Sequence, residues 1–241
     1  MKKIINYGVL ALFMLLINAG GVLAFDVSAT VDLNSSYVWR GLTLNDGLVM
    51  QPSLDVNKSG FGINVWGNMD IDDYNDTLES WEFSQVNFML SYDFNFKPVD
   101  VSIGYIEYMF PAGGDGTREI YITLGKHIFK GLSGNFRFYY DFDEADDIYA
   151  NASLDYSIPF SEKVNLDFGA LVGYAGKDFA RGDESGFHEY TLSAVGSYLI
   201  YEWLKVSAFL AYTDSIDEDV LPDQDVNFYG GLGITLSLIH I

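Results

Sequence analysis

The stretch Val27-Ser28-Ala29-Thr30-Val31-Asp32-Leu33-Asn34-Ser35-Ser36-Tyr37-Val38-Trp39 alternates almost without a break. Val27, Ala29, Val31, Leu33, Tyr37 and Trp39 are apolar or aromatic, with Ser35 the one exception, and Ser28, Thr30, Asp32, Asn34 and Ser36 fall between them. A period of two sends the two sets to opposite faces of a β-strand. A strand of this length crosses a bilayer even when tilted.

The same alternation recurs in Phe61/Ile63/Val65/Gly67/Met69, Val86/Phe88/Leu90/Tyr92/Phe94, Phe136/Phe138/Tyr140/Phe142 and Ile148/Ala150/Ala152/Leu154/Tyr156/Ile158. It returns in Val164/Leu166/Phe168/Ala170/Val172/Tyr174 and Phe228/Gly230/Leu232/Ile234/Leu236/Leu238. Filling the gaps predicts strands at 27–40, 48–57, 61–71, 82–95, 99–110, 118–129, 133–142, 147–158, 164–175, 187–200, 204–213 and 226–239. The second contains Pro52 and the fifth has Glu107 on its apolar parity, so a bulge or a shortened span is expected at each. Short turns carrying or flanked by Lys58, Lys97, Lys130, Lys163 and Lys205 alternate with longer loops into which most of the acids crowd. Short inner turns and long outer loops are the pattern of a closed, up-and-down antiparallel transmembrane β-barrel, all-β, here of about twelve strands with both termini on the periplasmic side.

Composition supports a membrane over water. Rings make up 16% of the chain, with 24 Gly, only 5 Pro and no Cys; aromatic girdles at the two interfaces would use the rings. The mature chain holds no run of 18 apolar residues, so helical spans are excluded. Lipid leaves backbone groups unsatisfied unless the strands close edge to edge. The alternative, a soluble periplasmic β-sandwich, would show loops of similar composition at both ends. Acidic residues number 34 against 13 basic ones, a net charge of −21 that repels nucleic acid.

Met1-Lys2-Lys3, an apolar run from Gly8 to Ile17 and Val22-Leu23-Ala24 form the signature of a secretory leader, with cleavage expected between Ala24 and Phe25. Residues 1–24 are therefore expected to be a cleavable signal peptide and 25–241 the barrel.

If the apolar parity faces lipid, the other parity lines the lumen. Arg40 then points inward near the outer mouth, opposite in sense to lipid-facing Tyr37 and Trp39, and Arg137 points inward deeper down. The inward acids are Asp32, Asp55, Asp93, Asp155 and Asp167, with Asn64, Asn87, Asn151, Asn165 and Gln51 as neutral companions. Such a lining would pass a hydrated solute; the alternative is a satisfied network that plugs a small barrel. The acidic rim would draw cations to the mouth or bridge lipopolysaccharide phosphates through divalent ions, and simple loop solubility explains it as well. Asp141–Asp147 lacks the ligand spacing of an EF-hand, and no metal or cofactor is expected. Of the histidines, His188 shares parity with Tyr190 and Leu192 and would face lipid near the outer rim, where a phospholipase would need it.

Ser35-Ser36-Tyr37-Val38-Trp39-Arg40-Gly41, followed by Gly62-Ile63-Asn64-Val65-Trp66-Gly67-Asn68, resembles the TorF family of porins. The motif positions are Tyr37, Trp39, Arg40, Gly41, Trp66 and Gly67, and the resemblance spans the mature chain. The resemblance implies an outer-membrane porin, and the polar inner parity with the acidic rim gives the expected function: a channel, not an enzyme, for passive diffusion of small hydrophilic or cationic solutes, in contact with lipid, lipopolysaccharide and the outer-membrane assembly machinery. Two alternatives stand beside it: a non-conducting structural or adhesive barrel with acidic extracellular loops, and an outer-membrane phospholipase. The chain departs from many such barrels in ending Leu238-Ile239-His240-Ile241, without a terminal aromatic residue.

Overall fold

The computed structural model describes residues 25–72, 80–180 and 182–239; the expected leader and Ile241 lie outside them. Fourteen strands follow one another: β1 (Asp26–Asn34), β2 (Tyr37–Trp39), β3 (Leu42–Asn45), β4 (Val49–Lys58), β5 (Phe61–Asp70), β6 (Glu82–Phe96), β7 (Val99–Met109), β8 (Thr117–Phe129), β9 (Leu132–Asp141), β10 (Asp147–Pro159), β11 (Val164–Ala175), β12 (Gly186–Tyr201), β13 (Leu204–Ser215) and β14 (Phe228–Ile239). Twelve of them form a closed antiparallel barrel, and β2 and β3 pair separately. Closure is made by β1, which bonds β14 from Asp26↔Ile239 to Asn34↔Gly231 and β4 from Asp26↔Asn57 to Asn34↔Val49. No barrel strand among the described residues is left as an edge, which disposes of a sandwich.

The outer face is apolar along its whole circumference: Leu90, Ile122, Leu154, Leu192, Leu210, Leu232 and Ile234 all stand exposed. Exposed rings gather at both ends of this belt, with Phe61, Phe96, Phe160, Tyr201 and Trp203 beside the short turns and Trp81, Phe142, Phe187 and Phe228 beside the long loops. Such a surface would be costly in water and is the one a bilayer covers.

The sequence expectations hold for the strand count and for most strand bounds, and both doubtful strands are present. The β4–β5 ladder has no paired residues between Met50↔Met69 and Ser53↔Trp66, where Pro52 has no N–H to donate, while the β4–β1 ladder runs through it unbroken. Glu107 sits opposite Arg118 on β8 and pairs with it at 3.2 Å, and Arg118 reaches Asp143 at 3.0 Å, a chain of exposed charges close to the long-loop rim.

The expected first strand, 27–40, is corrected. The wall strand ends at Asn34, whose Nδ2 donates to Gln51 Oε1 at 2.8 Å, and the chain turns into the barrel. Alternation continues through Tyr37 and Trp39 because these rings pack inside the lumen, not against lipid. The buried core lies there too, at the long-loop end, where Tyr149, Ala175, Phe179, Ala180 and Val220 pack with Trp39, Tyr139 and Ala145.

Candidate functional site: a latched hairpin in the lumen

The β2–β3 hairpin turns on Arg40 and Gly41, at φ of 49° and 81°, with Trp39 paired to Leu42 across the turn. Two consecutive left-handed residues make a type I′ turn, the tightest link that keeps the strand twist. Gly41 meets this demand freely, and a Cβ there would lie 2.8 Å from both Glu189 Cβ and Leu221 Cδ2. Arg40 meets it at a cost of roughly 1 kcal/mol, which the surroundings must offset.

The offset comes from the far wall. In barrel order β8 lies across the lumen from β1, and the Arg40 guanidinium grips Glu119 on β8 with two bonds of 2.7 and 2.8 Å. Tyr108 donates to the same carboxylate at 2.8 Å. The rings of Trp39, Tyr139, Tyr149 and Phe179 stand 4.1–5.1 Å from the guanidinium carbon, distances at which a ring face attracts a cation. Only 9% of the Arg40 side chain and 1% of Glu119 are exposed. Burial works against the charge, but Tyr108 and Glu119 more than offset it and hold the guanidinium pKa above its ordinary value.

The base of the hairpin is tied as well. Tyr37 donates to Gln85 Oε1 at 3.1 Å, Asn45 Nδ2 donates to Asp70 at 2.5 Å, and Thr43 bonds Gln224 and the Val226 amide. The expectation that Tyr37 and Trp39 face lipid is therefore overturned. Arg40 does point inward, as reasoned, but into an aromatic box and not into open water.

Several acids expected on a solvated rim are buried anchors. Asp70, Glu119, Asp141 and Glu189 are all inside. Asp141 accepts the Thr117 hydroxyl and the Asp143 amide, and Asp147 accepts the amides of Asp178 and Phe179, drawing that loop onto the core. An inward loop carries unpaired amides and hydroxyls, and short carboxylates are the acceptors that satisfy them.

His188 is a further correction: it does not face lipid and is 0% exposed. Between Val172↔Tyr190 and Tyr174↔Phe187 the β11–β12 ladder shifts, so that His188 and Glu189 together oppose Gly173. This bulge reverses the parity and sends Phe187 out, 60% exposed, and His188 in. His188 Nδ1 lies 2.7 Å from Glu189 Oε2, the Tyr149 hydroxyl donates to Glu189 Oε1, and His188 Nε2 has no partner among the described residues. A Cβ on Gly173 would lie 2.2 Å from Glu189 Oε2, so only glycine leaves room for that carboxylate.

Below the hairpin the lumen is polar. Asn64 donates to Asp55 at 2.7 Å, Asn135 to Asp155 at 2.8 Å and Asn165 to Asp167 at 2.7 Å, while Gln51 links Asn34 to Asn68. Asp32 sits in register with Gln51 and Gly233. Asp93 lines a cavity of about 460 Å³ at the short-turn end with Asp100, Lys126, His127 and Asn135. Two more cavities flank the hairpin. One of about 390 Å³ holds Arg40, Asn87, Arg137, Asn151, Glu189 and Thr191, and the other, of about 370 Å³, holds Tyr37, Gln51, Trp66 and Asn87. Trp66 lies against Tyr37 with ring centroids 5.5 Å apart, and Gly67 leaves the space that the Phe83 ring fills, 2.8 Å from where a Cβ would be. Glu119, Tyr108, Tyr139 and Tyr149 were missed as site residues. The available signal was a ring on an inward parity, as Tyr139 two residues after Arg137.

The fold has solved counterparts. A structure described as the KdgM porin in complex with disordered oligogalacturonate is 11% identical at a TM-score of 0.57, over 88% of this chain and 99% of that one. The NanC porin is 13% identical at 0.53 over 89% and 100%. The COG4313 outer membrane channel from Pseudomonas putida F1 is 9% identical at 0.55 over 92% and 98%. No curated protein matches the sequence. These likenesses show a shared fold, a closed antiparallel β-barrel, here with an apolar outer belt. The model of one family, described as a bacterial protein of unknown function (Gcw_chp), matches residues 18–220, and the chain belongs to that family.

Proposed function

We propose that the chain is a porin-like channel of the TorF type, through which small hydrophilic solutes diffuse passively across the outer membrane. One observation carries this reading: beneath an apolar exterior the lumen is lined by polar and charged side chains, with cavities on both sides of the hairpin and another at the short-turn end. A purely structural barrel would gain more from filling that space with packed side chains. The hairpin acts as the constriction, and the exposed loop acids bias the approach towards cations. Asp32, Asp55, Asp93, Asp155 and Asp167, with Asn64, Asn87, Asn151, Asn165 and Arg137, form the pathway wall. Lipid contacts the belt, lipopolysaccharide contacts the loop end, and the assembly machinery inserts the barrel.

Liposomes loaded with the protein should swell in isotonic glycerol or arabinose and progressively less in larger sugars. Swelling equal to that of empty liposomes would refute the channel. A second reading, a non-conducting barrel, is favoured by the lock of Arg40 onto the opposite wall; folded protein that gives no swelling would select it.

A further inference from the structure

The cavity of about 390 Å³ beneath the hairpin tip contains two side chains whose chemistry is unfinished. Arg137 lines it, half-buried, and makes no ion pair with a carboxylate among the described residues. Asn151 is only 7% exposed; its side chain hydrogen-bonds the Tyr149 hydroxyl, and its Oδ1 has no donor among the described residues. The two are direct cross-strand neighbours on β9 and β10, so their Cβ atoms lie about 5 Å apart on the same lumenal face. The next residue in that row is Gly173 on β11, over which the Glu189 carboxylate lies, held by the Tyr149 hydroxyl and His188, so that Arg137 rather than Glu189 is the group of this row left to pair with a solute.

A buried carbonyl oxygen without a donor costs about 1–3 kcal/mol, and a half-buried guanidinium beside it offers a planar fork of donors suited to a carboxylate. The other lumenal polar pairs do not share this deficit on both sides: Arg40 has Glu119, and Asp55, Asp155 and Asp167 each have an amide donor. Tyr139, Tyr149 and Tyr229 supply ring surface around the same space. The volume falls within the range of small-molecule sites.

We infer that this cavity is a solute-binding subsite for a small carboxylate carrying an adjacent hydrogen-bond donor, a hydroxyl or an ammonium group. The inference rests on the channel reading above and names the solute class it selects. The carboxylate pairs with Arg137, and the donor, one or two bonds away, satisfies Asn151 Oδ1. A solute whose ammonium group balances its carboxylate is neutral overall and is not repelled by the acidic mouth, whereas a hydroxy acid enters against that repulsion and pairs with Arg137 only once past the hairpin.

The test uses the full barrel refolded in detergent micelles, with binding followed by ligand-observed NMR. Four probes separate the requirements: lactate has carboxylate and hydroxyl, alanine has carboxylate and ammonium, propionate lacks the donor, and glycerol lacks the carboxylate. Lactate, alanine or both should bind at least fivefold more tightly than propionate and glycerol, and the better of the two identifies the donor. Arg137→Gln should weaken that binding at least tenfold, with Arg137→Lys retaining part of it, and Asn151→Ala should erase the preference over propionate. Equal binding of all four probes, or an Arg137→Gln variant that binds as the wild type does, overturns the subsite. Binding by a barrel that gives no liposome swelling would instead remove the channel and leave the subsite standing.

Discussion

Replacing Arg40 with alanine should release the hairpin tip, and the structure sets the size of the effect. The guanidinium is held by two bonds to a carboxylate that is 1% exposed and by four surrounding rings. Removing one partner of a buried pair leaves an uncompensated charge and costs about 3–5 kcal/mol. At about 1.4 kcal/mol per decade, the seated fraction relative to the released one should fall by about two to three and a half powers of ten. The chain has no cysteine, and Leu42 beside the tip is 4% exposed, so Leu42→Cys provides a reporter. In that background Arg40→Ala should raise the maleimide labelling rate about a hundredfold or more. Arg40→Gly should label more slowly than Arg40→Ala, because glycine regains roughly 1 kcal/mol at a φ of 49°. Glu119→Ala added to Arg40→Ala should restore part of the barrel's thermal stability, since the stranded carboxylate is then gone. Labelling unchanged by Arg40→Ala would refute the latch.

Four further outcomes follow from the geometry. Arg137→Ala should move the reversal potential in a KCl gradient towards greater cation preference, whereas Glu119-paired Arg40 should contribute little; equal shifts from both would contradict the pairing. Gly173→Ala should displace the Glu189 carboxylate and lower the unfolding midpoint by about 1–3 kcal/mol of stability, seen as earlier loss of heat-resistant mobility on gels. Leu210→Arg, on the exposed belt, should cost about 2–4 kcal/mol if it sits at the bilayer midplane, and a cost near zero in lipid refolding would place that face in water. Asn45→Ala should loosen the base of the hairpin by about 1–2 kcal/mol and speed Leu42→Cys labelling less than Arg40→Ala does.

The barrel was legible because its physics is local and repetitive. A strand with lipid on one side and water on the other must alternate, and Phe136-Arg137-Phe138 or Leu154-Asp155-Tyr156 shows both environments within three residues. Pro52 and Glu107 weakened the pattern without breaking the strands, since each meets only one neighbour's ladder or an exposed rim. The hairpin was not legible for the same reason: Tyr37 and Trp39 keep the period of two, and alternation cannot say whether an apolar face meets lipid or a packed lumen. The period of two carries the expected strand to Arg40, whereas Arg40 and Gly41, both at positive φ between Trp39 and Leu42, form a turn. His188 was placed on the wrong face because one extra residue in a bulge reverses every parity beyond it, and Gly173 opposite was the only hint. Rim acids such as Glu119 and Asp141 read as solvated from composition alone, because their burial depends on inward folding that composition does not record.

The most direct test of the whole account is the current carried by the purified wild-type protein in a planar lipid bilayer. A passage narrowed by a seated hairpin predicts discrete, small steps of uniform size, favouring cations in a KCl gradient. A membrane that stays silent over a wide voltage range, while circular dichroism and heat-modifiable gel mobility show the barrel fully folded within it, would contradict the account.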